Sequence, residues 1–311
     1  MISTFETLLP VFIVILIGYG LRRFRIIHDD QWQGLDRFCY FVLFPAIIFK
    51  EIAAADFSGV PVLQMAMAMM LAVLTMFAVL VILHRPIMAA LKIDGPQFTS
   101  VLQGAARWHT FIAFAIVPLQ FGPRALPLAA VSAAAMTPLL NILCVIVMSR
   151  FVPGARVPPK TLALSIILNP FVFSSLGGVA WQLSGRAMPA IGLQVLDMIG
   201  RGALGLALLT VGAALRLGEA MTNWPPLAAA AMLKLLVMPL IMAATLTLMG
   251  VTGDAFAVAL LCAAVPTGSG AYVLARQMGG DAPMMANILT LQVIAAAITI
   301  PLVLYLAGAT G

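Results

Sequence analysis

Apolar runs of about twenty residues recur along the whole chain, divided by short connections rich in Pro, Gly and charge, and this spacing decides what it can fold into. Runs of that length match a hydrocarbon layer about 30 Å thick crossed by helices. Only 9% of the 311 residues are charged, against about 25% in soluble domains, which excludes a water-soluble globule. The expected fold is an all-α polytopic membrane protein of ten transmembrane helices. They run roughly over 5–24, 35–55, 61–83, 97–121, 124–150, 160–183, 188–215, 225–249, 254–276 and 283–308. Turn signals separate them: "GVP" at 59–61, "DGP" at 94–96, "FGPR" at 121–124, "VPPK" at 157–160 and "NWPP" at 223–226.

The net charge of +6 does not describe a nucleic-acid binder, because the 17 Lys and Arg are spread among connections between spans. Arg22, Arg23 and Arg25 follow the first apolar run, the reverse of a cleavable signal, so this span is expected to stay and to start outside. The alternate connections then hold ten cations: Arg22, Arg23, Arg25, Arg85, Lys92, Arg150, Arg156, Lys160, Arg216 and Arg276. The opposite ones hold three: Lys50, Arg124 and Arg186. The positive-inside rule reads this as both termini on the outer side, in agreement with an even span count. Cys39, Cys144 and Cys262 stand singly, without metal-ligand spacing, and read as small buried hydrophobes.

The two halves answer each other. Pro10 pairs with Pro170, Asp36 with Asp197, Gly122 with Gly279 and Pro138 with Pro301, at offsets of 160, 161, 157 and 163 residues. Residues 1–150 form a first five-helix repeat, 151–160 a linker, and 161–311 a second repeat. An odd number of spans per repeat inserts the second upside down. Five-plus-five inverted repeats are an architecture of secondary transporters.

Against that frame, the ninth span contains "AVPTGSGAY", a Pro and two Gly in mid-membrane. Proline removes a backbone donor and clashes with the preceding turn. On the offset of Gly122 and Gly279, Pro266 falls opposite His109 in "GAARWHTF" of the fourth span. Non-helical backbone at this depth needs protein or a wet cavity around it. Two breaks at matching positions of inverted halves point to a transport site, where half-helix N-termini favour an anion. Spans 4 and 9 are therefore expected to be broken, and the candidate binding residues are Arg107, His109, Thr110, Pro266, Thr267, Gly268, Ser269 and Gly270.

Three titratable or charged residues lie deep: Arg107, His109 and Lys234. Arg107 could take a carboxylate bidentately or bond helix carbonyls at the break. His109 could couple protons or stay a neutral hydrogen-bonding group; Lys234 could couple, snorkel or serve structure. Asp197 and Arg201, four apart, read as an intrahelical ion pair. Asn141, Tyr272, Asn287, Thr290 and Gln292 are candidates for a polar path, each with the alternative of bonding a neighbouring backbone. Spans 4 and 9 carry no mid-span carboxylate, which favours an organic anion over a cation as substrate. No phosphate-binding G-x-x-x-x-G-K-[ST], zinc-binding H-E-x-x-H or nucleophile-elbow G-x-S-x-G occurs, so neither ATP-driven transport nor an enzyme is expected.

The opening "LLPVFIVILIGYGLRRF", the second-span "LDRFCYFVLFPAIIFKEI", the eighth-span "LKLLVMPLIM" and "VPTGSGAYVLARQMGGDA" with "ANILTLQVIAAAITIPLVLYL" resemble the auxin efflux carrier family. The resemblance runs in order over essentially the full chain. It implies a fold similar to the bile-acid/sodium symporters, with spans 4 and 9 crossing at their breaks. Spans 1, 2, 6 and 7 would serve as a scaffold panel, with an elevator-like movement of the rest. It implies a compact bacterial member in the cytoplasmic (inner) membrane, carrying a small carboxylate such as malonate, malate or an auxin-like acid. A homodimer fits the family. The chain departs at the span 4 crossover, where Arg107-Trp108-His109 stands in place of the family's frequent Asn after an Arg. The expectation is a carrier of a small organic anion in a lipid bilayer, without cofactor or metal, coupled to H+ or Na+ if coupled at all. The alternatives are a sodium-coupled, bile-acid-like symporter and a non-transporting receptor.

Overall fold

The computed structural model describes residues 2–155, 158, 160, 164, 168–216 and 223–308, and among them every regular element is helical. The first half contains α1 (Ile2–Arg23), α2 (Asp29–Phe38), α3 (Phe44–Ala53), α4 (Val62–Ile82), α5 (His84–Leu91), α6 (Gly95–Ala106), α7 (Thr110–Phe121) and α8 (Leu126–Phe151). The second contains α9 (Pro170–Leu183), α10 (Ala190–Gly200), α11 (Ala203–Ala214), α12 (Trp224–Met232), α13 (Met238–Leu248), α14 (Gly253–Ala264), α15 (Gly270–Met278) and α16 (Ala282–Leu306). Two π-turns, Cys39–Leu43 and Leu233–Val237, join α2 to α3 and α12 to α13.

Among the described residues six helices are long and apolar enough to cross a membrane: Phe5–Arg23, Val62–Ile82, Pro123–Phe151, Ala190–Ala214, Trp224–Leu248 and Ala282–Leu306. The other four expected spans fall short for separate reasons. Spans 4 and 9 are broken into α6–α7 and α14–α15. The helix through α2 and α3 carries Asp36, Arg37, Lys50 and Glu51, and the start of the sixth span lies outside the described residues. Large apolar side chains stay uncovered on the outer faces, among them Leu16, Leu63, Phe173, Leu240 and Ile298, as lipid contact requires.

Polar caps set several helix starts. Asp94 accepts from the Gln97 amide and Gln97 returns a bond to the Asp94 N–H, opening α6. Asn169 caps α9 through the amides of Phe171 and Val172, and Asp281 caps α16 through Met284.

The helices pack as two groups. In the first, α1 lies along α11 and α3 along α9. Both pairings are backbone-close. A Cβ at Gly18 would overlap the Leu209 carbonyl, one at Gly212 the Ile15 carbonyl, and one at Gly178 would stand 2.9 Å from the Ile52 Cβ. The second group holds α4, α6 to α8 and α12 to α16. The groups meet where α7 touches α1 and α11, and where α8 touches α3 and α9. Lys50 reaches from α3 to Asp197 of α10 at 2.9 Å, so the carboxylate that Arg201 also holds at 2.9 Å ties two spans together as well as bonding within its own helix.

Candidate functional site

The breaks in spans 4 and 9 lie against each other, and their chemistry explains both. Beyond α14, Pro266 has no N–H to continue the ladder, and the Thr267 N–H turns instead to Gln292 Oε1 at 2.8 Å. Span 4 has no proline at its break. Its Gly104 carbonyl, which would accept from the Trp108 N–H in a continuing helix, accepts from Gln292 Nε2 at 2.9 Å. The same Nε2 donates to the Ala230 carbonyl at 3.1 Å. One fully buried amide on α16 thus takes backbone groups from both breaks and from α12. Thr267, also fully buried, donates its hydroxyl to the Gln103 carbonyl at 3.4 Å. At the contact itself a Cβ on Gly268 would meet the Trp108 carbonyl oxygen at 2.7 Å, a spacing only glycine allows.

Outside this buried clasp the surface opens. Gly268 and Ser269 are half-buried and Gly270 is exposed, and as α15 begins their amides take no backbone acceptor among the described residues. A Cβ at Gly270 would lie 3.2 Å from Arg107 Nη2. Arg107, itself half-buried, donates through Nη2 to Asn141 Oδ1 of α8 at 3.0 Å, while its Nη1 is buried and unpartnered among the described residues. A guanidinium beside a helix N-terminus is a concentration of positive potential with donors left to give.

Near Arg107 lie Tyr40 and Thr137, which sequence reasoning passed over, with Asn141, expected on a polar path, and Cys144, expected only as a buried hydrophobe. Tyr40, in the π-turn before α3, lies in the field of Arg107 and interacts with the Asn169 side chain. Cys144 lies beside the guanidinium, and Thr137, Asn141 and Cys144 follow helical spacing along one face of α8. Phe44 stacks on Phe111 with ring centroids 4.3 Å apart, and Tyr40 meets Phe171 at 4.9 Å, which gives the site an aromatic flank. The π-turn and the aromatic partners carry no spacing signal that sequence alone could resolve.

The remaining candidates separate. His109 caps the start of α7 without a side-chain bond; it is buried, its Nε2 has no partner among the described residues, and its ring lies 5.8 Å from that of Phe111. Thr110 opens α7, half-buried. Thr290 is fully buried and ties helices, donating to the Ala286 carbonyl and accepting from the Arg216 amide. Asn287 leaves a buried Oδ1 without a partner among the described residues, and Tyr272 packs half-buried against the core. Lys234 is wholly buried in the second π-turn, its Nζ without a hydrogen bond among the described residues.

A family model described as "Membrane transport protein" matches residues 3–103 and 126–304, most of the chain. The chain belongs to this family, that of the auxin efflux carriers. It is a membrane transport protein by that membership, and the residues of the span 9 break lie inside the match. The stretch between the two matched segments, 104–125, contains Arg107, Trp108 and His109. No curated protein matches the chain.

Proposed function

We propose that the protein is a secondary transporter of a small organic anion, a mono- or dicarboxylate, that binds at the crossover and is moved by elevator-type alternating access. The observation that carries this reading is Arg107, with a buried and unpartnered Nη1, beside the exposed N-terminus of α15 at Gly270. A carboxylate set there would accept from the guanidinium and from the free amides of residues 268–270. Asn141 holds the guanidinium in place without neutralising it. The anion would enter between the two helix groups, with Tyr40 on one side and Arg107 on the other.

The proposed architecture is ten spans in a five-plus-five inverted repeat. It is supported by reciprocal pairings: span 1 lies along span 7 as span 6 lies along span 2, and Pro138 of α8 answers Pro301 of α16. The group of α1, α3, α9, α10 and α11 would be the scaffold and the crossover-bearing group the moving body. The distribution of Lys and Arg supports both termini lying on the outer side, and the family resemblance supports placement in a bacterial inner membrane.

Uptake of labelled malonate, malate and indole acetate into proteoliposomes, under imposed proton or sodium gradients, tests the reading. Saturable flux of a carboxylate supports it, and the gradient dependence names the coupling ion. Sodium dependence with a larger amphipathic anion would favour the bile-acid-like alternative. Absence of any flux from folded, inserted protein would leave a receptor.

A further inference from the structure

Away from the crossover, α1 and α11 end side by side at an open cavity of about 520 Å3 whose lining includes Arg22, Arg23, Arg25 and Arg216, together with His28, Asp29 and Asp30. The four arginines come from two regions of sequence some 190 residues apart, and the fold makes them converge. Arg22 is the built part: its Nη1 donates to the Ala213 carbonyl at 2.8 Å, closing α1 on the last turn of α11, and its Nε holds Asp29 at 2.7 Å. Arg25 turns toward the cavity through a left-handed backbone, φ 55°. The side chains of Arg23 and Arg25 make no hydrogen bond or ion pair among the described residues. With one of the two aspartates already held by Arg22, cationic charge is in surplus.

Topology signalling alone asks for cations on one side of the membrane; it does not ask that they share a cavity. Two further features specify the ligand. Arginine forks fit the oxygens of a phosphate, and several at once fit it better than a carboxylate. On the same turn Phe24 and Ile26 are 78% and 67% exposed, apolar side chains that suit burial in a bilayer. We propose that this cavity is a phosphate site that takes the headgroup of an anionic phospholipid, with Arg23 and Arg25 as its donors and Phe24 and Ile26 set among the acyl chains. A lipid bound there would brace α1 against α11, the tightest contact of the scaffold group.

Native mass spectrometry of the full-length protein, released from detergent micelles doped with equal phosphatidylglycerol and phosphatidylcholine, tests this. The native protein should retain phosphatidylglycerol selectively, and Arg23→Gln with Arg25→Gln should reduce that retention about tenfold. Arg85→Gln with Lys92→Gln, a loss of two exposed cations elsewhere, should leave it unchanged. Arg23→Lys with Arg25→Lys keeps the charge and the topology signal, and should restore retention only in part. Equal loss in the Arg85/Lys92 variant, or no preference for phosphatidylglycerol in the native protein, would overturn the site. Full displacement of the lipid by millimolar inorganic phosphate would overturn the lipid as its occupant.

Discussion

Arg107 keeps one nitrogen on Asn141 and another buried without a partner among the described residues, an arrangement that costs stability unless an anion completes it. Replacing it by Gln should therefore raise the half-saturating carboxylate concentration by about 10- to 100-fold, the value of a charge-assisted bond, while the melting temperature stays level or rises. Arg107→Lys should not restore affinity, since an ammonium cannot hold Asn141 and a carboxylate in one plane. Lys234 calls for the opposite comparison. It is buried and unpartnered among the described residues, so Lys234→Met, similar in volume, should raise thermal stability in detergent. Loss of flux in the same variant would assign Lys234 to coupling, and unchanged flux would assign it to structure.

At the scale of elements, the two broken helices depend on two residues with no charge. Gln292→Leu leaves the Thr267 N–H and the Gly104 and Ala230 carbonyls without their side-chain partner, and should destabilise the protein by about 3 kcal/mol, read as a lowered melting temperature. Gly268→Ala drives a methyl into the Trp108 carbonyl and should cost about 1–3 kcal/mol. Gly270→Ala, whose methyl meets only the end of the Arg107 side chain, should keep the fold and weaken transport. The break at Pro266 was legible in the sequence because proline and paired glycines leave a local mark. The break at Arg107–His109 has no such mark; it was found through the repeat, and its cause lies in Gln292, 188 residues from Gly104. Gln292 and Thr267 were legible as polar residues in apolar spans but not as a clasp, because their partners are backbone groups of distant helices. Tyr40 was missed since it sits in a π-turn, and no periodicity announces a π-turn.

For the whole molecule, apolar run length led to membrane helices, and six of them meet that standard by length and composition. The division into two groups was expected from the family resemblance alone and not from spacing, since it rests on the close approaches of Gly18, Gly178 and Gly212, whose partners only the fold reveals. If one group moves against the other, a bridge across their contact must stop transport. Phe44→Cys with Phe111→Cys, in a background with Cys39, Cys144 and Cys262 replaced, joins α3 to α7 where the two rings stack. Oxidation should abolish flux and reduction should restore it; flux that survives a complete cross-link would exclude the proposed movement. The most direct test of the central claim is equilibrium binding of labelled malonate to the purified protein, native against Arg107→Gln. Saturable binding that weakens at least about tenfold in the variant, with folding retained, is the predicted result. Equal binding by both proteins would contradict a carboxylate held at the crossover.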